Sequence, residues 1–538
     1  MSSRGLAAAV LVLAACGCRL GPSAAPPLPR PPAPAPAPAP VVTDDGPPVG
    51  RLDDRARPVA ASIELEVDPR APDVGGRVTI DVAIGRPLRV VWLNGRGLTI
   101  AAARIVDGGR TQVARVIGDP LAAADHTDGQ GELIGLAVDQ PLLPGAARVE
   151  IDYRAAWGSD GGLLHSTEIG PMAVTDLSPD DARSVMPCFD DPRFKLPWTL
   201  ALIVPTGMAA FANYPERARH PVDAGHDRVE FQPTRPLPVH LLAFTVGALV
   251  TIDGGTEPVP TRVITVAGTE AAMAHAASQL PGLLAELSAY VEEPVPFPKL
   301  DVVAVPTLSG SVVGMENPGL VTVRADSLEV AAGAPPWVAE AVTSTLAHEL
   351  SHLWFGDLVS LAWWDEFWLN EGFATWLTDK LMAAREPTWS LVGHPFAPWL
   401  MMAQDPPGSS PVRKPLRALA DFPQILDLKA YARGAAVVAT FEAWLGPARF
   451  RDVVHGWIAQ HRDGSVTTSM LVDALAAAAP ADPAGGIVAD RPAVAATMAG
   501  LVDHAGVPTA RFALRCDAGG PARVDVAVDH GPAAAPWP

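Results

Sequence analysis

The residues best placed for chemistry are His348, Glu349 and His352, in the run Ala347-His348-Glu349-Leu350-Ser351-His352-Leu353. On a helix the two histidines are i and i+4, so both imidazoles lie on one face and can reach one metal ion. Glu349 sits close enough to that face to handle a metal-bound water. The pattern predicts zinc-dependent hydrolysis of an acyl bond, with water as nucleophile. Three fixed residues are a short signal, and a surface helix with two unpaired histidines would carry the same letters. If Glu349 is the base, the zinc needs a third protein ligand. Glu371, in Trp368-Leu369-Asn370-Glu371-Gly372-Phe373-Ala374, is the candidate. The bland alternative is a solvated carboxylate at a helix start. With His348, His352 and Glu371 as ligands to one Zn2+ per chain, one tetrahedral position stays open, as a catalytic zinc requires.

These groups need elements to hold them. The run around His348 is apolar and free of proline, as a packed helix requires. Beyond Glu371, Phe373, Trp376, Leu377 and Leu381 recur at helical spacing, which predicts a second helix antiparallel to the first. Helical signals begin near 268, with Pro281 an expected break. Short strands are expected around 301–306 and 319–324, and helices over 434–505. From about 55 to 253 the period is two: Ile63, Leu65 and Val67 alternate with polar residues, as do Val78, Ile80 and Val82, and Val149, Ile151 and Tyr153. That pattern predicts an antiparallel β domain.

Six segments, in order, resemble the zinc aminopeptidases of the gluzincin group, the family of membrane alanyl aminopeptidase and the leukotriene hydrolase. Pro187-Cys188-Phe189-Asp190-Asp191-Pro192, followed by Phe194-Lys195, is similar to P-C-F-D-E-P. Phe297-Pro298-Lys299-Leu300-Asp301 resembles the lead-in to the catalytic domain. Gly314-Met315-Glu316-Asn317 resembles the family's exopeptidase loop. The remaining three segments are His348 to Asp357, Trp363 to Ala374, and Leu426 to Gly434.

The resemblance implies a thermolysin-like α+β zinc metallopeptidase domain behind the N-terminal antiparallel β domain. It implies zinc on His348, His352 and Glu371, Glu349 as general base and then acid, and Tyr431 as donor to the oxyanion. Glu316 would pair with the free α-ammonium of a peptide substrate, while Gly314, Met315 and Asn317 line the same loop. A second anionic group usually joins that clamp from a Q-x-E-P segment. Here those places hold Asp176, Leu177, Ser178 and Pro179, so the partner is Ser178 or Asp176. Lys429 and Arg433 also depart from the family's Ile and Lys.

Composition narrows the setting. The 538 residues are 49% hydrophobic and 18% charged, so most of the chain should fold. A net charge of -19 and a pI near 5.1 argue against nucleic-acid partners. Arg4 and the apolar run Leu6 to Ala15 read as an export signal, too short to span a bilayer. Leu13-Ala14-Ala15-Cys16 resembles the bacterial lipobox, which implies cleavage before Cys16 and a lipid on its sulfur. The expected layout is a signal peptide over 1–15 and a Pro/Ala-rich tether over 16–50. A β domain over 51–253, a catalytic domain over 254–505 and the start of a C-terminal β segment over 506–538 follow. Arg523 to Val528 reads as one strand short of partners, as in a truncated chain. The four cysteines suggest no disulfide scaffold. The expected location is a bacterial membrane, with the active domain in the periplasm or at the cell surface, acting on peptides with a free N-terminus. An endopeptidase, or an inactive peptide-binding lipoprotein on the same fold, are the alternatives.

Overall fold

Alternation builds the first half of the molecule. Ile63 and Leu65 in the strand Ala56–Glu66 are buried, as are Val78, Ile80 and Val82 in Asp73–Ile84 and Val149, Ile151 and Tyr153 in Gly145–Ala156. Register aligns these rows: Ile63 lies beside Val78, and Ile80 beside Val149. A one-residue slip would turn each row to the opposite face. The structure is a computed structural model that describes residues 46–48, 50–118, 132–166, 170–310, 312–386, 410–416, 428–479, 490–506, 509–516 and 523–529. The export segment, Cys16, the tether up to residue 45, and Leu426 and Asp427 lie outside the described residues.

Among the described residues the main sheet has eight strands, antiparallel except for one pair. Ala56–Glu66 runs parallel to Trp198–Pro205, with Ile63 beside Leu200. The expected antiparallel domain holds but for this one pair, which alternation does not reveal because it reports faces, not directions. Parallel neighbours need a long crossover, and here the intervening chain supplies one by building further strands and sheets.

The second half is organised by a five-stranded sheet, in the order Leu249–Gly255, Thr261–Val266, Leu300–Val305, Leu320–Arg324, Gly314–Met315. The first strand straddles the boundary expected at 253, and its pairing with Thr261–Val266 assigns it to this sheet. Leu300–Val305 is buried throughout and has parallel neighbours on both sides, as a central strand of a covered sheet should. The crossover from Thr261–Val266 is the helix Glu270–Val291.

That helix corrects the break expected at Pro281, which lies inside it. A proline deprives the carbonyl four residues earlier of its donor. That carbonyl, on Ala277, faces Gly254, where a Cβ would sit 2.9 Å from it. The helix packs closely onto this glycine of the first strand and runs unbroken past the defect. The remaining described helices span Pro336–Ser351, Phe367–Arg385, Leu428–Leu445, Pro447–His461, Thr468–Ala477 and Arg491–Val502. Arg523–Asp529, expected to be short of partners, pairs antiparallel with Thr509–Arg515 in a sheet of two strands among the described residues. No helix among the described residues is long and apolar enough to cross a membrane.

The two halves meet through rings and charges. Arg51 forms a bidentate pair with Asp191 and lies 3.8 Å over Trp363. His240 is buried with its ring 4.7 Å from Trp364. Burial, with a smaller push from Lys195, lowers its pKa from 6.5 to about 3. A depressed folded pKa means stability that is present above about 6.5 and lost as pH falls toward 3. His240→Phe should therefore flatten the acid limb. Relative to the wild type, it should retain about 2–3 kcal/mol more of its neutral-pH stability at pH 4.5. Urea midpoints measured between pH 7 and 4.5 check this, and parallel curves would refute it.

Candidate active site

The helix Pro336–Ser351 opens with proline in its first turn, where a missing N–H costs nothing, and ends at the site. His348 and Glu349 lie in its last turn, and His352 caps it. The chain then reverses through Gly356, whose φ of 134° is accessible to glycine. The reversal lets Phe367–Arg385 pack back and deliver Glu371 to the histidines, as the apolar spacing predicts.

Glu371 Oε2 lies 3.2 Å from His348 Nε2 and 3.6 Å from His352 Nε2, and the two Nε2 atoms are 3.2 Å apart. A tetrahedral zinc with bonds of about 2.0–2.1 Å holds its ligands roughly 3.3 Å apart. The spacing and the N/N/O donor set both fit such an ion. Orientation fits as well. His352 Nδ1 donates to the Phe355 carbonyl at 3.0 Å, which leaves the lone pair of Nε2 facing the cluster. Glu371 and His352 are buried, and His348 is partly accessible. Burial alone would raise the Glu371 pKa, but the two imidazoles hold it below the ordinary carboxylate range. Among the described residues this is the one metal-capable group of His, Cys, Asp and Glu found.

Glu349 is also buried, beside the ligands rather than among them. Burial pushes its pKa up to about 8. His352 opposes that shift, while the charges of Glu316 and Glu371 add to it. A carboxyl tuned toward neutrality can take a proton and return it. Gly314 explains how it fits. The strand Gly314–Met315 crosses Glu349 so closely that a Cβ on Gly314 would stand 2.3 Å from Glu349 Oε1.

The loop that follows brings Glu316 to the centre, where it feels His352, Glu371 and His348; burial raises its pKa first and the histidines counter it. Asn317 is buried, and its amide reaches Thr322 Oγ1 at 3.4 Å, so it shapes the loop from behind. Asn213 Nδ2 donates to the Pro318 carbonyl at 3.0 Å, and Lys299 Nζ to the Gly319 carbonyl at 2.5 Å. The motif containing Lys299 does not disclose this contact, nor is Asn213 part of any motif, because both bonds join separate segments.

Tyr431 comes from the helix Leu428–Leu445 and stacks on His348, with centroids 5.8 Å apart and planes 25° from parallel. Burial and the carboxylates of Glu371, Glu316 and Glu349 hold its hydroxyl protonated. Gly434 on that helix meets Gly372 on the Glu371 helix. A Cβ on Gly372 would lie 2.8 Å from the Gly434 carbonyl carbon. The two departures in this segment also find places: Lys429 Nζ donates to Ser410 Oγ, and Arg433 Nη2 to the carbonyls of Leu501, His504 and Gly506.

Asp176 takes a role that sequence reasoning missed. It is buried, and its Oδ2 accepts from the Ser309 backbone N–H at 2.8 Å. Asp160 Oδ1 accepts from Gly310 N at 3.1 Å in the same way. Both tie down the loop that leads into Gly314. Ser178, two residues on, is half-buried.

Comparison with known proteins matches residues 57–241 to the peptidase M1 N-terminal domain and residues 276–485 to the peptidase family M1 domain. The chain is 30% identical to "Aminopeptidase 2" of Candida albicans over 76% of its own length and 44% of that protein. It is 29% identical to "Aminopeptidase M1-B" of Oryza sativa over 78% of its length and 48% of the relative. It is 26% identical to the glutamyl aminopeptidase of Mus musculus over 79% and 46%. The chain thus spans about half the length of these relatives. The β-rich half and the helical half each match their own domain, His348, His352 and Glu371 all fall within the second of these matches, and the chain belongs to peptidase family M1.

Proposed function

We propose that the protein is a zinc-dependent aminopeptidase that removes N-terminal residues from peptides. The observation that carries this reading is the placement of Glu316, which directly follows the Gly314–Met315 strand and lies near enough to His348, His352 and Glu371 to feel their charges. A negative charge there rewards a free α-ammonium and penalises an internal peptide bond.

His348, His352 and Glu371 would hold the ion. Zinc held there would supply the Lewis acidity that activates water and polarises the scissile carbonyl. The other steps belong to the chain. Glu316 anchors the ammonium. Gly314–Met315 is the terminal strand of its sheet among the described residues, and its outer edge offers backbone groups to an extended substrate, since the other edge is spent on Leu320–Arg324. Glu349 accepts the proton of the attacking water and passes it to the departing amine. The Tyr431 hydroxyl donates to the oxyanion as it forms.

The discriminating experiment compares a free peptide with its N-acetylated form. The acetylated form should be cut at least 100-fold more slowly, and Glu316→Gln should narrow that ratio. Equal rates on the two substrates would remove Glu316 from its role and favour an endopeptidase.

We also propose that the protein is exported and anchored through lipid on Cys16. The apolar run before that cysteine and the proline-rich stretch after it support the reading.

A further inference from the structure

Lys195 lies in the β-rich half, yet its ammonium is enclosed by the turn that follows the histidine helix. Nζ donates to the Asp357 carbonyl at 2.8 Å, the Leu358 carbonyl at 3.1 Å and Ser360 Oγ at 2.9 Å, with the Gly464 carbonyl at 3.4 Å. Burial lowers its pKa from 10.5 to about 7, against a smaller opposing pull from Asp463 and Asp357. A buried lysine is costly unless its donors are met. Here three N–H groups face four oxygens, three of them backbone.

What those oxygens belong to gives the contact its meaning. The turn 352–360 is closed by Asp357 N–H to the His352 carbonyl at 3.0 Å and Gly356 N–H to the Val359 carbonyl at 2.8 Å. Ser360 Oγ donates to the Gly356 carbonyl at 2.6 Å. Inside this turn sits the Phe355 carbonyl, the acceptor that fixes the tautomer and tilt of His352. Groups that orient a ligating imidazole through its second nitrogen control affinity as the ligands do.

We propose that Lys195 is a positioning residue for the metal centre: it clamps the 357–360 turn from the β-rich half and thereby holds the Phe355 carbonyl against His352 Nδ1. The inference rests on His348, His352 and Glu371 being metal ligands. It makes the N-terminal half part of the metal site without contributing a ligand.

The test titrates the full-length apoprotein with zinc against a chromophoric chelator, for wild type, Lys195→Met and Ser360→Ala. Melting temperatures and the visible band of the cobalt(II) form are recorded in parallel. Lys195→Met should bind zinc about 10- to 100-fold more weakly and shift the cobalt band. Ser360→Ala should move both in the same direction by less. A purely architectural lysine would lower the melting temperature and leave affinity and spectrum alone, which overturns the proposal. If Lys195→Met does not fold, Ser360→Ala decides, and unchanged affinity there overturns it equally. Wild type that takes up no zinc would sink the metal-centre reading itself. Zinc bound equally tightly by all three proteins would sink only the role of Lys195.

Discussion

Glu349→Gln should reduce turnover of amino-acid amides by about 10²–10⁴-fold while zinc content stays at the wild-type level. The two halves of this result separate the base from the ligands. Glu349 stands outside the cluster formed by His348, His352 and Glu371, so its loss removes no donor. Glutamine has nearly the same shape and keeps the contact beneath Gly314, where a Cβ would stand 2.3 Å from the carboxylate. It cannot carry a proton, and the lost step is the transfer from water to the leaving amine. Kinetics beside metal analysis on the same samples check the prediction. Loss of zinc together with activity would make Glu349 a ligand, and retained activity would place the base elsewhere.

Tyr431→Phe should lower kcat by roughly 10²–10³-fold, about 2.7–4 kcal/mol, with KM and zinc content little changed. The substitution removes one hydroxyl. The ring keeps its stacking on His348 and its edge contact with Phe367, whose centroid is 6.5 Å away. A hydrogen bond made only as the oxyanion forms appears in kcat, whereas a contact made equally with bound substrate would raise KM alone. That second pattern would remove Tyr431 from the transition state.

The cluster of His348, His352 and Glu371 was legible because helical periodicity is local: two histidines one turn apart announce a shared face, and the apolar repeat after Glu371 announces the helix that returns it. The β-rich half was legible for the same reason, through alternation at Ile63, Val78 and Val149. What stayed hidden depends on contacts between distant segments. Alternation says nothing about strand direction, so the parallel pairing of Ile63 with Leu200 could not be read. A proline reads as a break unless something packs over the defect, as Gly254 does at Ala277. Asp176 and Ser178 looked like rivals for one role by position alone, yet Asp176 is bound to a backbone N–H 133 residues away. Lys195 was visible inside a motif, but its significance needed the turn it grips.

The meeting of Gly372 with Gly434 bears on how such a site can change over generations. Glu371 adjoins Gly372 and Tyr431 lies about one turn before Gly434, on two helices whose backbones touch with no side chain between them. Side chains at an ordinary helix contact can be exchanged in compensating pairs, and the spacing drifts as they are. Bare backbone offers nothing to exchange. The distance between the carboxylate and the hydroxyl is therefore pinned by the chain itself, so variation in selectivity has to come from the loops around the site rather than from its frame.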